Sequence, residues 1–218
     1  MQANSAHNRY IYYQDGASVY VNQYFDSDVT AEVNGRTVTI RQRNDTQSGY
    51  FRLNSEASAP QEIGSVTSKV LHDPDMKCVY FTVETDEPVN MTLKLRVPEW
   101  AEGVENEDGF VIYDREWKNG DTVCIRLPMK IRAEFLPDDD TMAAFTYGPV
   151  ALAGLTDAET RLETGGGAPE SVLMHDDERC WGSWSGRFKT VGQKKGLQFI
   201  PLYKVGYEPY EVYFPIGK

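Results

Sequence analysis

Alternating segments on either side of an Asn-Gly pair do most to restrict what this chain can fold into. Ala31-Glu32-Val33 is followed by Asn34-Gly35 and then by Arg36-Thr37-Val38-Thr39-Ile40-Arg41. Apolar and β-branched residues at every second position suit a pleated strand with one buried face, and Asn-Gly accepts the positive φ angles of a tight turn. The spacing predicts a β-hairpin. The same reasoning at Asn119-Gly120, between residues 112–117 and 122–127, predicts a second hairpin.

Other segments carry the same period. Residues 18–25, 63–70, 78–84 and 89–97 read as strands, separated by turn formers such as His72-Asp73-Pro74-Asp75 and Asp86-Glu87-Pro88. Residues 142–147 and 150–155 form an apolar pair broken at Gly148-Pro149, and 197–202 and 210–214 read as closing strands. Apolar residues at i, i+3, i+4 are not sustained over a helix-length window, so a helical fold is excluded. One local exception is Thr156-Asp157-Ala158-Glu159, which fits a capping box and predicts a short helix ending before Gly165. The rest of 156–196 reads as long loops. Pro137-Asp138-Asp139-Asp140 has no reason to enter a core and predicts a solvated junction. The expected class is therefore all-β, with two consecutive antiparallel β-sandwich, jelly-roll-like domains over residues 1–137 and 138–218.

Composition narrows the function. A chain of 218 residues, 40% of them hydrophobic, can bury one large core or two modest ones. Its 33 acidic against 22 basic residues leave a net charge of -11, which repels phosphate backbones and anionic lipid, so neither nucleic acid nor a membrane surface is an expected partner. No run approaches the roughly 20 apolar residues of a membrane-spanning helix. Residues 1–7 are polar and lack an apolar signal core.

The residues of reactive chemistry are poorly spaced for it. His7, His72 and His175 are far apart, and Cys78, Cys124 and Cys180 include no close pair, so neither a metal site nor a disulfide framework is predicted. They read as loop histidines and core cysteines. His175-Asp176-Asp177-Glu178 lacks the glycine and alternation of a calcium loop and reads as a solvated loop. No nucleophile elbow, P-loop or dinucleotide fingerprint occurs. Glycosidase chemistry needs two carboxylates at a set separation, which 33 acids along a sequence do not identify. No catalytic residue and no cofactor is expected. The candidate substrate-binding residues are Trp181 and Trp184 in Trp181-Gly182-Ser183-Trp184, a polar, glycine-containing stretch where two indoles can form a platform for a sugar ring. The competing reading buries them between a sandwich and a partner domain. Trp100 and Trp117 stand at strand ends beside turns and read as anchors over the open ends of a sandwich core.

Several segments, taken in order, resemble the region that follows the catalytic barrel in bacterial glycoside hydrolases of the β-L-arabinofuranosidase type, glycoside hydrolase family 127 and its relatives. They are Ile11-Tyr12-Tyr13-Gln14-Asp15-Gly16 with Val19-Tyr20-Val21-Asn22-Gln23-Tyr24, Leu95-Arg96-Val97-Pro98-Glu99-Trp100-Ala101, and Trp117-Lys118-Asn119-Gly120-Asp121 with Leu127-Pro128-Met129. The clearest is Tyr147-Gly148-Pro149-Val150-Ala151-Leu152-Ala153-Gly154, after Leu136-Pro137-Asp138-Asp139. Phe199-Ile200-Pro201-Leu202-Tyr203 and Tyr210-Glu211-Val212-Tyr213-Phe214 complete the set.

The resemblance implies that the chemistry belongs to an N-terminal (α/α)6 barrel, where a glutamate acid/base and a cysteine nucleophile act in a zinc-bound cluster with adjacent cysteines. This sequence has no adjacent cysteine pair, so no catalytic residue is carried over. What it implies here is a non-catalytic segment whose first sandwich packs on the barrel and whose second mediates a homodimer contact. A carbohydrate-binding module, with glycan as its partner, is the alternative.

Overall fold

The computed structural model describes residues 10–44, 75–176 and 186–217. The chain divides into two compact units, Met1–Pro128 and Met129–Lys218. Nearly every element is a strand, and among the described residues no helix is long and apolar enough to cross a membrane.

The first unit holds β1 (Tyr12–Asp15), β2 (Ser18–Val21), β3 (Ser27–Val33), β4 (Arg36–Asn44), β5 (Met76–Thr85), β6 (Val89–Arg96), β7 (Phe110–Trp117) and β8 (Thr122–Pro128). They form two four-stranded sheets, ordered β1-β2-β6-β7 and β3-β4-β5-β8. Alternation explains the core between them. In β6, Val89, Met91, Leu93 and Leu95 are buried while the residues between them are not, and in β5 Val79, Phe81 and Val83 do the same. Burying each such side chain contributes about 1.5–3 kcal/mol. The sandwich is not wholly antiparallel, because β2 runs parallel to β6, with Val19 opposite Leu93. Between these two strands the chain has left for the other sheet and returned, and such a crossover permits parallel pairing.

The expected strand over 18–25 stops at Val21 because the chain there crosses between sheets. Gln42, fully buried, fixes the crossing: its Nε2 donates to the carbonyls of Gln23, at 3.1 Å, and Phe25. The expected strand over 63–70 lies outside the described residues.

The two Asn-Gly pairs do different work. Asn34 and Gly35 have φ of 51° and 73°, and β3 and β4 pair in register from Val33↔Arg36 to Ser27↔Gln42, as expected of a hairpin. At the second pair only Gly120 has positive φ, at 84°, with Asp121 N–H donating to Lys118 O at 3.0 Å. That is a type II turn, whose twist splays the flanking strands. The predicted second hairpin is therefore corrected to a corner between sheets: β7 pairs with β6, and β8 with β5. The corner docks on β5, where Gly120 N–H donates to Val83 O at 2.8 Å and Thr85 N–H to Asn119 Oδ1 at 3.3 Å.

The second unit contains β9 (Ile131–Leu136), β10 (Asp139–Tyr147), β11 (Val150–Leu155), β12 (Leu162–Glu163), β13 (Leu173–His175), β14 (Phe188–Thr190), β15 (Gln198–Pro201), β16 (Tyr210–Glu211) and β17 (Tyr213–Gly217). They join in one nine-stranded sheet, with β12 parallel to β17. Its core is phenylalanine-rich. Phe145, Phe188, Phe199 and Phe214 are fully buried, with Phe199 and Phe214 ring centroids 5.1 Å apart. β11 crosses this cluster at Gly154, where an added Cβ would lie 2.5 Å from Phe214 Cζ and 2.9 Å from Phe199 Cζ.

Three expectations for this half change. Pro137 and Asp138 form the turn of the β9–β10 hairpin, and Asp139 and Asp140 begin β10, so the junction expected after Pro137 falls inside the second unit. The acids there are solvated edge residues of a hairpin rather than a linker. No helix starts at Thr156. Its Oγ1 accepts from Ala158 N–H at 3.3 Å and donates to Ala158 O at 2.9 Å, a side-chain turn that competes with helix formation. The loops expected over 156–196 include β12, β13 and β14, too short to announce themselves by period.

Candidate functional site

Alternation in β1, β2, β6 and β7 buries Val19, Val21, Met91, Leu93 and Leu95 and turns the intervening residues outward. Register places Tyr13 beside Tyr20, and Ile112 opposite Lys94. The outcome is an aromatic patch. Ring centroids of Tyr13 and Tyr20 are 5.7 Å apart and those of Tyr20 and Phe110 5.6 Å apart, edge to face. Lys94 Nζ sits 4.9 Å from the Tyr20 ring centroid and 3.3 Å from its hydroxyl. Tyr13 is 61% exposed. Aromatic faces beside a cation and hydroxyls suit either a sugar ring or an apolar protein surface.

The opposite sheet presents a different outer face. Arg41 pairs with Glu84 at 2.9 Å and Arg43 with Asp28 at 2.6 Å, while Thr30 and Thr39 share a hydrogen bond of 2.9 Å. These are exposed cross-strand pairs of small energetic weight.

The second unit carries a shallow depression of about 430 Å³ between 156–159 and 208–211. Asp157, Glu159, Glu208 and Glu211 line it with half-exposed Tyr210. Glu211 Oε2 accepts from Thr160 N–H at 3.3 Å, and Glu208 Oε2 from Gly206 N–H at 2.9 Å. The two lining segments meet because Leu155 pairs with Tyr210.

Trp181 and Trp184 lie outside the described residues, in the connection between β13 and β14, as does Cys180. The strands that flank them are joined at His175↔Phe188, with Asp176 N–H donating to Arg187 O at 3.0 Å. Trp117 is fully buried and its Nε1 donates to Met91 O at 2.9 Å, with the Arg115 guanidinium 4.1 Å from its ring centroid. Trp100 packs on the same core, so both fit the expected anchors.

His175 is not the expected loop residue. It ends β13, its ring 4.8 Å from Phe188 and 5.4 Å from Tyr147, because a strand too short to read from sequence carries it to the second core. Asp176 beside it pairs with Lys189 at 3.4 Å; Asp177 and Glu178, like His7 and His72, lie outside the described residues. Cys78 and Cys124 are half-buried on the outward face of β5 and β8, not in the core.

Among the described residues, no three of His, Cys, Asp and Glu converge where they could hold a metal. Among the described residues, four carboxylates have pKa values displaced downward. Asn44's backbone and side-chain N–H groups hold Asp26 low, the Arg43 hydrogen bond holds Asp28 low, Thr141 does so for Asp139 and backbone N–H groups for Glu208. Burial raises the Tyr24 hydroxyl, which donates to Arg96 O, and lowers Lys77. These groups serve the fold.

The tyrosines of the outward face were readable in principle from the alternation around Val19 and Val21. The depression was not, since its two walls are some fifty residues apart in sequence and meet through one short strand pair.

Comparison with known proteins gives the following. A family model described as the middle domain of the GH127 β-L-arabinofuranosidases matches residues 18–129. No curated protein matches. Among solved structures, a GH127 β-L-arabinofuranosidase from Geobacillus stearothermophilus T6 superposes with a TM-score of 0.61 at 18% identity, over 97% of this chain and 36% of that one. A GH127 β-arabinofuranosidase gives 0.62 at 18% identity, over 94% and 36%. A third structure, titled as a glycoside hydrolase, gives 0.58 at 14% identity, over 95% and 37%. This chain thus spans a little over a third of the length of each. At these identities the likeness is one of fold.

Proposed function

The chain belongs to the GH127 β-L-arabinofuranosidase middle-domain family, and from that premise we propose that it is the accessory β-segment of a β-L-arabinofuranosidase-like glycoside hydrolase. Its role is structural and non-catalytic: it supports and covers a catalytic barrel N-terminal to it. The observation that carries this is a coincidence of boundaries. The family match, 18–129, ends within a residue of the first compact unit, Met1–Pro128. That unit closes its own core yet presents aromatic side chains outward, as a domain that packs on a neighbour does. The second unit supplies the homodimer contact.

A second reading assigns glycan binding to Trp181 and Trp184. In its favour, both indoles stand in one polar, glycine-containing stretch, Trp181-Gly182-Ser183-Trp184, where two aromatic faces can meet one sugar ring. Isothermal titration with arabinose-containing oligosaccharides separates the two. The structural role predicts no saturable heat. Saturable binding abolished by Trp181→Ala or Trp184→Ala establishes the binding module instead.

A further inference from the structure

Cys78 and Cys124 sit on neighbouring antiparallel strands, where Tyr80 is opposite Cys124 and Cys78 is opposite Arg126. Both side chains point away from the core, since Val79 and Ile125 between them point in. They are therefore diagonal neighbours on one face, a spacing at which Cβ atoms approach within about 7 Å. Neither is in a disulfide, both are half-buried, Cys124 Sγ donates to Ile125 O at 3.5 Å, and Cys78 is the group acting most strongly on the Cys124 thiol. β8 is the last strand of its sheet, so it can shear slightly without breaking a ladder on its far side.

We propose that Cys78 and Cys124 are a dithiol–disulfide pair, a modification site whose reactant is an oxidised low-molecular-weight disulfide. One cysteine, as thiolate, attacks a sulfur of the reactant and releases one small thiol. The second cysteine then attacks the protein-bound sulfur of the mixed disulfide, forming the Cys78–Cys124 bond and releasing the second small thiol. The two protons of the protein thiols end on the two leaving thiols, the cysteines are oxidised by two electrons and the reactant is reduced by two. Cys78 and burial hold the Cys124 thiol above its ordinary pKa, which makes the exchange slow at neutral pH rather than impossible.

The bond would tie β5 to β8 and enclose β6 and β7, strands of the other sheet, so it would restrict the unfolded chain across both layers. The test is peptide mapping by mass spectrometry, without reduction, of the full chain after incubation with oxidised glutathione, with thermal unfolding alongside. The expected result is one linked peptide pair containing Cys78 and Cys124, and a Tm higher by roughly 5–15 °C than in reductant. The rise should persist in Cys180→Ser and vanish in Cys78→Ser. Thiols that stay free, glutathione retained on either cysteine, or linkage to Cys180 would each overturn the proposal. The mapping uses the unaltered chain, so it decides the matter even if Cys78→Ser fails to fold.

Discussion

Trp117 shows how a single side chain can hold a corner of a sandwich. Its indole is wholly buried, its Nε1 is satisfied by Met91 O, and it ends β7 immediately before the chain changes sheets. Truncation to alanine leaves a cavity and orphans the carbonyl, and should cost about 3–5 kcal/mol. Equilibrium urea unfolding would register this as a lower midpoint at unchanged slope. Gly154 makes the opposite demand. A methyl there meets Phe214 and Phe199 head on, so Gly154→Ala should destabilise by about 1–3 kcal/mol in the same assay. Lys77 supplies a pH test. Burial lowers its pKa in the folded state, so between that value and the ordinary one near 10.4 the unfolded chain binds more protons, and stability from this residue rises with pH. Lys77→Met should therefore stabilise the fold at pH 7, and its advantage should shrink as pH rises through Lys77's folded pKa. An advantage that grew with pH would contradict the burial account. The anchoring role of Trp117 was legible from its place before a turn. The burial of Lys77 was not, because nothing local in a strand sequence says which polar residue will be overhung.

At the scale of elements, one dipeptide has two outcomes. Asn34-Gly35 takes positive φ at both residues and closes a hairpin, whereas at Asn119-Gly120 only the glycine does, and the strands part. Proline exposes the difference. It cannot take φ of 51°, so Asn34→Pro should cost about 3 kcal/mol or more. At the first central position of a type II turn proline is favoured, so Asn119→Pro should cost less than about 1 kcal/mol, mostly for the lost bond to Thr85 N–H. Comparable losses at both sites would refute the turn assignment. Turn propensity could be read from the sequence in both places. Which neighbour each flanking strand would choose depended on β6 and β5, distant partners that outcompete the local one. The same limit hid β13 and β14, whose three residues each are held by pairing rather than by pattern.

For the whole molecule, the sequence carried the all-β class and the division into two cores, while the position of the division was misread because Pro137 and its acids look alike in a linker and in a hairpin turn. The outward aromatic face of the first unit has a consequence for the isolated chain. Sedimentation velocity should show concentration-dependent self-association, weakened in a Tyr13→Ser, Phe110→Ser double variant. A wild-type chain that stays monomeric at every concentration would remove the case for a covered face. The central claim, that this segment supports catalysis without performing it, is tested most directly by assaying the purified chain on an aryl β-L-arabinofuranoside, with and without added zinc. The account predicts hydrolysis no faster than in buffer under either condition. Turnover that depends on zinc and on the protein would contradict it.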